Sequence, residues 1–409
     1  MFLPIIIDPF AFDDMRYMWV YQKNLYHAYK NGSAIIAQAR YAENREVWSD
    51  ELKARHQFRS LTPEEDASVD KYFIPETIFD DLREEQGSEL GAKLFLLTHR
   101  YPPLEEVLEK FFDQISAKEK IEGVFNWAAH TESVKYVANK RGIPVLTSEF
   151  SLRFPNYRPL CYLSYGDILQ ETEIAERYQK FLSCRDQIDF ELFSRRELLA
   201  LFLDDSVVNY LRCYKMHPQY EVGVAGLHPL ISTLFAKTTF TDLELAQNVR
   251  KNYAEKDILF RKHPGEEPYQ ATYGFRNLDT HKSPIPFILN SRRIAAQGSN
   301  IIFEAMLWNR GVYSRDGSPF AQFAERDFSE RALQKVDETF LNFVLFCYFI
   351  PMEKLWDPDY LRWRNTGPSE TDIFARHTQV YFGEKNISAD ILRLPKHKRL
   401  KALMKIRGL

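Results

Sequence analysis

Short continuous apolar runs alternate along this chain with longer stretches whose apolar residues recur at three- and four-residue spacing. The opening run, "LPIIID", predicts a buried strand rather than a leader, because no basic region precedes it and the sequence turns acidic at once. "RYMWVYQKNLYHAYKNG" has helical spacing and closes on Gly32. "KLFLLTHRYPPLEEVLEKFFDQI" predicts a strand or short turn, then an amphipathic helix opened by a proline pair. "IEGVFNWAAH" reads as a strand. After it, Thr131 with Glu132 and Ser133 starts a helix that Gly142-Ile143-Pro144 ends, and "PVLTSEF" is the next strand. Strand, helix and strand in that order predict a βαβ unit.

The second half repeats the alternation. "ELLALFLDDSVVNYL" predicts an apolar strand ending in Asp204-Asp205, and "FTDLELAQNVRKNYAEK" an amphipathic helix capped by Thr241 or Asp242. "DILFRK" is a strand that runs into His263-Pro264. "SRRIAAQGSNIIFEAMLWNRGVYSRDG" predicts a strand, a Gly-Ser-Asn turn, a helix, Gly311 as its terminator and a further short strand. The expected fold class is α/β, with two Rossmann-like domains facing a central cleft and helices at the C-terminus. The expected boundaries are 1–193 for an acceptor-side domain, 194–345 for a nucleotide-sugar domain and 346–409 for a helical segment. Such folds take ligands at the carboxyl ends of their strands.

Composition narrows the function classes. The 409 residues are 45% hydrophobic and 27% charged with a net charge of −3, so any anion site is local and nothing global points to nucleic acid. Cys161, Cys184, Cys213 and Cys347 lack metal or disulfide spacing, which fits a reducing compartment. No apolar segment approaches the roughly 20 residues needed to span a bilayer. The tail "LPKHKRLKALMKIRGL" predicts a basic amphipathic helix. It fits either a packed terminal helix or a peripheral contact with an anionic membrane surface, and the expected location is cytoplasmic, at the inner membrane.

Three groups fall at predicted element ends: Asp204-Asp205-Ser206, Arg261-Lys262-His263-Pro264, and Gly298-Ser299-Asn300 before the helix carrying Glu304. A glycine and a small hydroxyl residue at a helix start offer free N–H groups to a phosphate. Flanking cations add donors, and Glu304 could reach a ribose hydroxyl pair. Taken singly, each group has a structural explanation as an N-cap, a turn or a solvated residue. Their order along the chain is more specific than any one of them.

That order resembles the nucleotide-binding half of GT-B-type bacterial glycosyltransferases that use CMP-activated acidic sugars. "FRKHP" is similar to their His-Pro motif and "QGSNIIFEAML" to their serine motif, with Ser299-Asn300 standing where many members have two hydroxyl residues. The resemblance implies that Lys262, His263, Pro264, Gly298, Ser299 and Asn300 hold CMP and that Glu304 contacts its ribose. "PVLTSEFSLRFPNYRPLCYLSYGDI" resembles the Glu-x-x-x-Arg segment of retaining β-Kdo transferases of capsule and lipopolysaccharide synthesis. By that likeness Glu149 is the general acid/base and Arg153 and Arg158 pair with the sugar carboxylate. Asp205 or Asp204 is then the nucleophile that forms an aspartyl-glycosyl adduct. The partners implied are a CMP-sugar donor and a glycan or glycolipid acceptor, with no metal or other cofactor. An inverting CMP-sialic-acid transferase and a non-catalytic nucleotide- or glycan-binding protein are the alternatives.

Overall fold

The computed structural model describes residues 1–7, 18–43, 50, 53, 58–127, 131–153, 155–165, 173–226, 241–263, 273–315, 318–330 and 335–409. The chain divides into two compact units. Unit 1 gathers Met1–Phe150, Cys161–Glu171 and Met352–Gly367; unit 2 gathers Ser151–Leu160, Thr172–Pro351 and Pro368–Leu409. The sequence suggested segments 1–193, 194–345 and 346–409; in the structure the chain enters each unit more than once.

Unit 1 runs β1 (Phe2–Ile6), α1 (Met18–Asn31), β2 (Ile35–Gln38), β3 (Lys71–Ile74), α2 (Glu89–Thr98), α3 (Pro102–Ser116), β4 (Gly123–Trp127), α4 (Glu132–Lys140) and β5 (Val145–Ser148). The strands form one parallel sheet in the order β3-β2-β1-β4-β5. Every residue of β1, β2, β4 and β5 is buried, the polar Gln38, Asn126, Thr147 and Ser148 included, as befits strands covered on both faces. The predicted βαβ unit is β4-α4-β5, with the Thr131 side chain accepting from the Val134 N–H and Gly142 at φ 66° reversing the chain. β6 (Leu160–Tyr162) lies antiparallel beside the end of β5 through the Phe150–Cys161 and Thr147–Ser164 bridges. Met352–Gly367 joins this unit because the Trp356 indole N–H donates to Asn24 Oδ1 at 2.9 Å and Arg362 clasps Glu122 at 2.8 and 2.9 Å. Beneath that indole sits the buried Lys23, 4.1 Å from the ring centroid, and burial pulls its ammonium down to about 7.

"KLFLL" is the first difference from the expected elements. It is helical, in α2, because Ser88 caps the start by accepting from Gly91 N at 3.0 Å. A short apolar run does not by itself separate strand from helix.

Unit 2 contains α5 (Arg195–Phe202), β7 (Tyr220–Ala225), α6 (Asp242–Asn252), β8 (Ile258–Arg261), α7 (Pro284–Asn290), β9 (Ser291–Ala296), α8 (Ile301–Leu307), β10 (Gly311–Tyr313), α9 (Glu370–Glu384) and α10 (Lys396–Ile406). Its sheet is parallel in the order β10-β9-β7-β8, so the winding reverses between β7 and β9. Two sequence expectations are corrected here. "ELLALFL" is not a strand but α5, whose Ser194 and Glu197 form a reciprocal capping box, and Asp204 therefore follows a helix. The residue that reverses the chain after α8 is Asn309, at φ 60°, while Gly311 opens β10.

The basic C-terminal helix, α10, packs within unit 2. Arg399 and Leu403 are buried, and the Arg399 guanidinium pairs with Glu197 of α5 at 2.6 Å. Among the described residues no helix is long and apolar enough to cross a membrane.

Candidate functional site

In a parallel sheet that winds both ways, the strand ends diverge at the point of reversal and leave a crevice there. In unit 2 that point lies beyond the carboxyl ends of β7 and β9. The chain leaving β9 is Gln297-Gly298-Ser299-Asn300, with Gly298 in the left-handed region at φ 55°. Ser299 Oγ accepts from Ile301 N at 3.3 Å, and Asn300 O accepts from Glu304 N at 3.1 Å, which starts α8. Asn300 Nδ2 donates to Ser151 O at 3.4 Å, drawing in the segment Ser151–Leu160.

That segment carries the polar side chains that surround α8. Ser283 Oγ and Asn156 Oδ1 are 2.7 Å apart, and Asn156 O accepts from Asp204 N at 3.0 Å. Tyr157 is buried, pairs with Leu203 as an isolated bridge and accepts the Trp308 indole N–H at 2.9 Å. The Tyr157 hydroxyl, Arg261 and Arg153 are the groups that favour the ionised form of the Glu304 carboxyl. Burial nevertheless dominates and raises Glu304 to about 7. Its Oε2 is out of solvent and has no hydrogen-bond partner. A carboxyl with a spare acceptor oxygen and a proton balance near neutrality is suited to a ligand hydroxyl.

The β8 end differs from expectation. Arg261, read from the sequence as one of three phosphate-facing groups, is buried and saturated by the Asp279 carboxylate, His281 O at 2.7 Å and Lys282 O at 3.1 Å. A guanidinium held this way ties the 279–282 turn to β8. Lys262 and His263 are half-buried just beyond it, and Pro264 lies outside the described residues.

The remaining sequence candidates separate. Asp204 Oδ1 accepts from Ser206 N at 2.9 Å and from Ser206 Oγ at 2.7 Å, a side-chain-closed turn. Asp205 is 79% exposed and lies 2.9 Å from Arg407 and 3.5 Å from Lys385. Arg158 was expected at the sugar carboxylate. Instead its side chain is 9% exposed, ion-paired with Glu384 of α9, and stacked 4.3 Å over the Tyr381 ring, so it anchors α9. Glu149 belongs to unit 1, just past β5, where its Oε1 accepts from Phe150 N at 2.7 Å and its carbonyl accepts from Tyr162 N at 2.8 Å. Thus Asn300, Glu304 and Arg153 gather around one segment with the Asp204 backbone attached to it, while Asp205 and Arg158 are engaged by the C-terminal helices.

Two residues escaped the sequence reading. Tyr157 has no motif; only the placement of Ser151–Leu160 in unit 2 brings it to Glu304. Gln297 is fully buried, its Oε1 accepting from Arg315 N at 3.3 Å and its Nε2 unpartnered. A polar residue closing an otherwise apolar strand was the available signal.

Two α/β units, each built on a parallel sheet, define a Rossmann-like fold. Residues 2–173 match the Glycosyltransferase 99 family N-terminal domain. No curated protein sequence matches the chain. Among solved structures it is similar to the β-Kdo 2,7 transferase of Thermosulfurimonas dismutans KpsC, at 17% identity and a TM-score of 0.35, over 58% of this chain and 78% of that one. The β-Kdo 2,4 transferase of the same protein gives 12% identity and a TM-score of 0.34, over 54% and 78%. A UDP-GlcNAc 2-epimerase of Methanocaldococcus jannaschii gives 15% identity and a TM-score of 0.31, over 78% and 85%.

Proposed function

We propose that this chain is a glycosyltransferase that moves an acidic sugar, Kdo, from its CMP donor onto a surface-glycan acceptor. The observation that carries the reading is the match of residues 2–173 to a glycosyltransferase domain. The grouping of Asn300, Glu304 and Arg153 supports the donor assignment. In this reading Lys262, His263, Gly298 and Ser299 hold the CMP phosphate by side-chain and backbone donors. Because α8 has only seven residues, that role falls on those donors more than on a helix dipole. Glu304 Oε2 accepts a ribose hydroxyl, and Arg153, exposed beside it, recognises the sugar carboxylate.

An aspartate, Asp204 or Asp205, attacks the anomeric carbon as the bond to the CMP oxygen breaks, and CMP leaves with the electron pair. An acceptor hydroxyl then displaces the aspartate while Glu149 takes its proton. The exposed lysines of α10, Lys398, Lys401 and Lys405, are assigned to a peripheral contact with an anionic membrane surface.

Intact-protein mass spectrometry with CMP-Kdo generated in situ tests the scheme. Wild type should gain the mass of one sugar, and one of Asp204→Asn and Asp205→Asn should lose that gain. Glu149→Gln should slow turnover by roughly a hundredfold, near the lower limit for removing a general acid/base. CMP release without any adduct would point to an inverting enzyme. Neither adduct nor release would remove CMP-Kdo as the donor.

A further inference from the structure

The 279–282 turn is built to hold one exposed side chain. Residues 277–279 run parallel to β8: Phe260 N donates to Asn277 O at 2.8 Å, Asp279 N donates to Phe260 O at 2.7 Å, and Leu278 bridges Phe260. The turn therefore emerges at the carboxyl end of β8, the end that carries Lys262 and His263. Arg261 fixes it there, its Nη1 donating to Asp279 Oδ2 and to His281 O at 2.7 Å, and its Nη2 to Lys282 O at 3.1 Å. On the far side Ser283 Oγ accepts from Ile285 N at 3.2 Å and starts α7. The Asp279 side chain is 2% exposed and its two oxygens are divided: Oδ2 takes Arg261, and Oδ1 lies 2.6 Å from His281 Nδ1. The imidazole of His281 is 54% exposed.

A carboxylate paired with a guanidinium can only accept, so Nδ1 carries the proton that joins it to Asp279, and the tautomer and ring orientation are set. For the fold alone this contact contributes little, because the ring is exposed and Asp279 already has Arg261. A buried carboxylate behind an exposed imidazole is the arrangement that orients a histidine for a ligand. In the protonated ring both nitrogens donate, so Nε2–H is offered outward while Nδ1–H stays on Asp279. The surroundings are basic: Lys262 and His263 are half-buried, Lys282 is exposed, and in 258–263 and 277–283 the sequence holds no carboxylate besides Asp279.

We propose that His281 is an anion-binding residue: held by Asp279 and Arg261, its imidazolium donates Nε2–H to a phosphoryl oxygen of a ligand seated at the carboxyl end of β8. A phosphoryl group has several oxygens in different directions and can take His281 together with the basic groups beside it. A planar carboxylate is matched best by a guanidinium fork, and the fork at this strand end, Arg261, is already spent inside the protein. Arg261 then acts on the ligand only through the turn it holds. The assignment of the phosphoryl group to CMP rests on the nucleotide reading above; anion binding at His281 does not.

Nuclear magnetic resonance of the full chain carrying nitrogen-labelled histidine reads the contact, with the signals of His281 assigned by their loss in His281→Gln. Inorganic phosphate, and separately CMP, should move the Nε2 signal of His281 toward that of a protonated ring. In calorimetry His281→Ala should weaken CMP by about tenfold, the size of one charge-assisted hydrogen bond. That variant removes an exposed ring and leaves Asp279 on Arg261, so it should fold. Lys282→Gln removes a neighbouring charge but no oriented donor, and should weaken CMP by less than about threefold, as for a screened surface charge. Equal losses in the two variants would show a diffuse charge effect and overturn the oriented contact. His281 signals that stay put under both phosphate and CMP would overturn the anion site. If phosphate moves them and CMP does not bind, the nucleotide reading fails and the anion site stands. If CMP binds wild type and His281→Ala equally well, the role of His281 fails and the nucleotide reading stands.

Discussion

Arg399→Met should destabilise unit 2 by about 3–5 kcal/mol, read as a lowered urea midpoint with an unchanged slope. Arg399 and Glu197 are both fully buried and pair at 2.6 and 3.3 Å, and the remaining guanidinium donors reach Glu191 O at 2.7 Å and Leu192 O at 3.1 Å. The arginine also lies 4.8 Å over the Phe193 ring. Substituting methionine fills similar volume, so the loss measures Glu197 left charged in a dry site rather than a cavity. Glu197→Gln added to the same protein should recover part of the stability, because glutamine keeps the capping contact with Ser194 and removes the charge. A single variant within 1 kcal/mol of wild type would mean that water reaches the pair. The consequence extends past stability. α5 leads into Leu203 and Asp204, and Arg407, just past the end of α10, donates to Leu203 O at 2.5 Å, so loosening α10 frees the turn that carries both candidate aspartates.

β1, β4, β5, β8, β9 and β10 were legible as short apolar runs bounded by turn residues, whereas β2, β3 and β7 drew no prediction. "IIFEAML" and "DLELAQNVRKN" were legible as helices for a different reason, their polar starts at Ser299 and Thr241. "LLALFL" misled because its apolar run is that of a helix buried on all sides, and the decisive signal, Ser194 followed three residues later by Glu197, lay upstream of the run. Side-chain allegiance was less visible still. Arg261 sits in a cationic tripeptide that looks built for an anion, yet its partner Asp279 is 18 residues away, beyond a connection whose path no local pattern predicts. Arg158 likewise follows Arg153 by five residues, but its partner Glu384 lies on α9. The cluster around Glu304 combines the two cases. Its own position was readable from the serine-containing helix start, whereas Tyr157 reaches it only because ten residues of the chain's first half belong to unit 2.

Glu304→Gln should make the protein more stable at pH 8 and leave it unchanged at pH 4. The carboxyl is raised from 4.5 to about 7, chiefly by desolvation. Between those two values the folded protein keeps a proton that the unfolded chain has released, so stability falls as pH rises through that window. Above pH 7 the full cost is present: about 2.5 pK units at 1.36 kcal/mol each is roughly 3 kcal/mol. Glutamine cannot ionise, so it removes the pH dependence along with the cost. The measurement is the difference in unfolding free energy between the two proteins at pH 4, 6 and 8, which should open progressively from zero. A constant difference, or one largest at low pH, would show that folding does not raise the Glu304 carboxyl. The same substitution should weaken CMP, since an amide accepts a hydroxyl proton less well than a carboxylate. A residue whose replacement strengthens the fold while weakening the ligand is one kept for binding rather than for stability, and Glu304 is the position in this chain where the two effects should be seen with opposite signs.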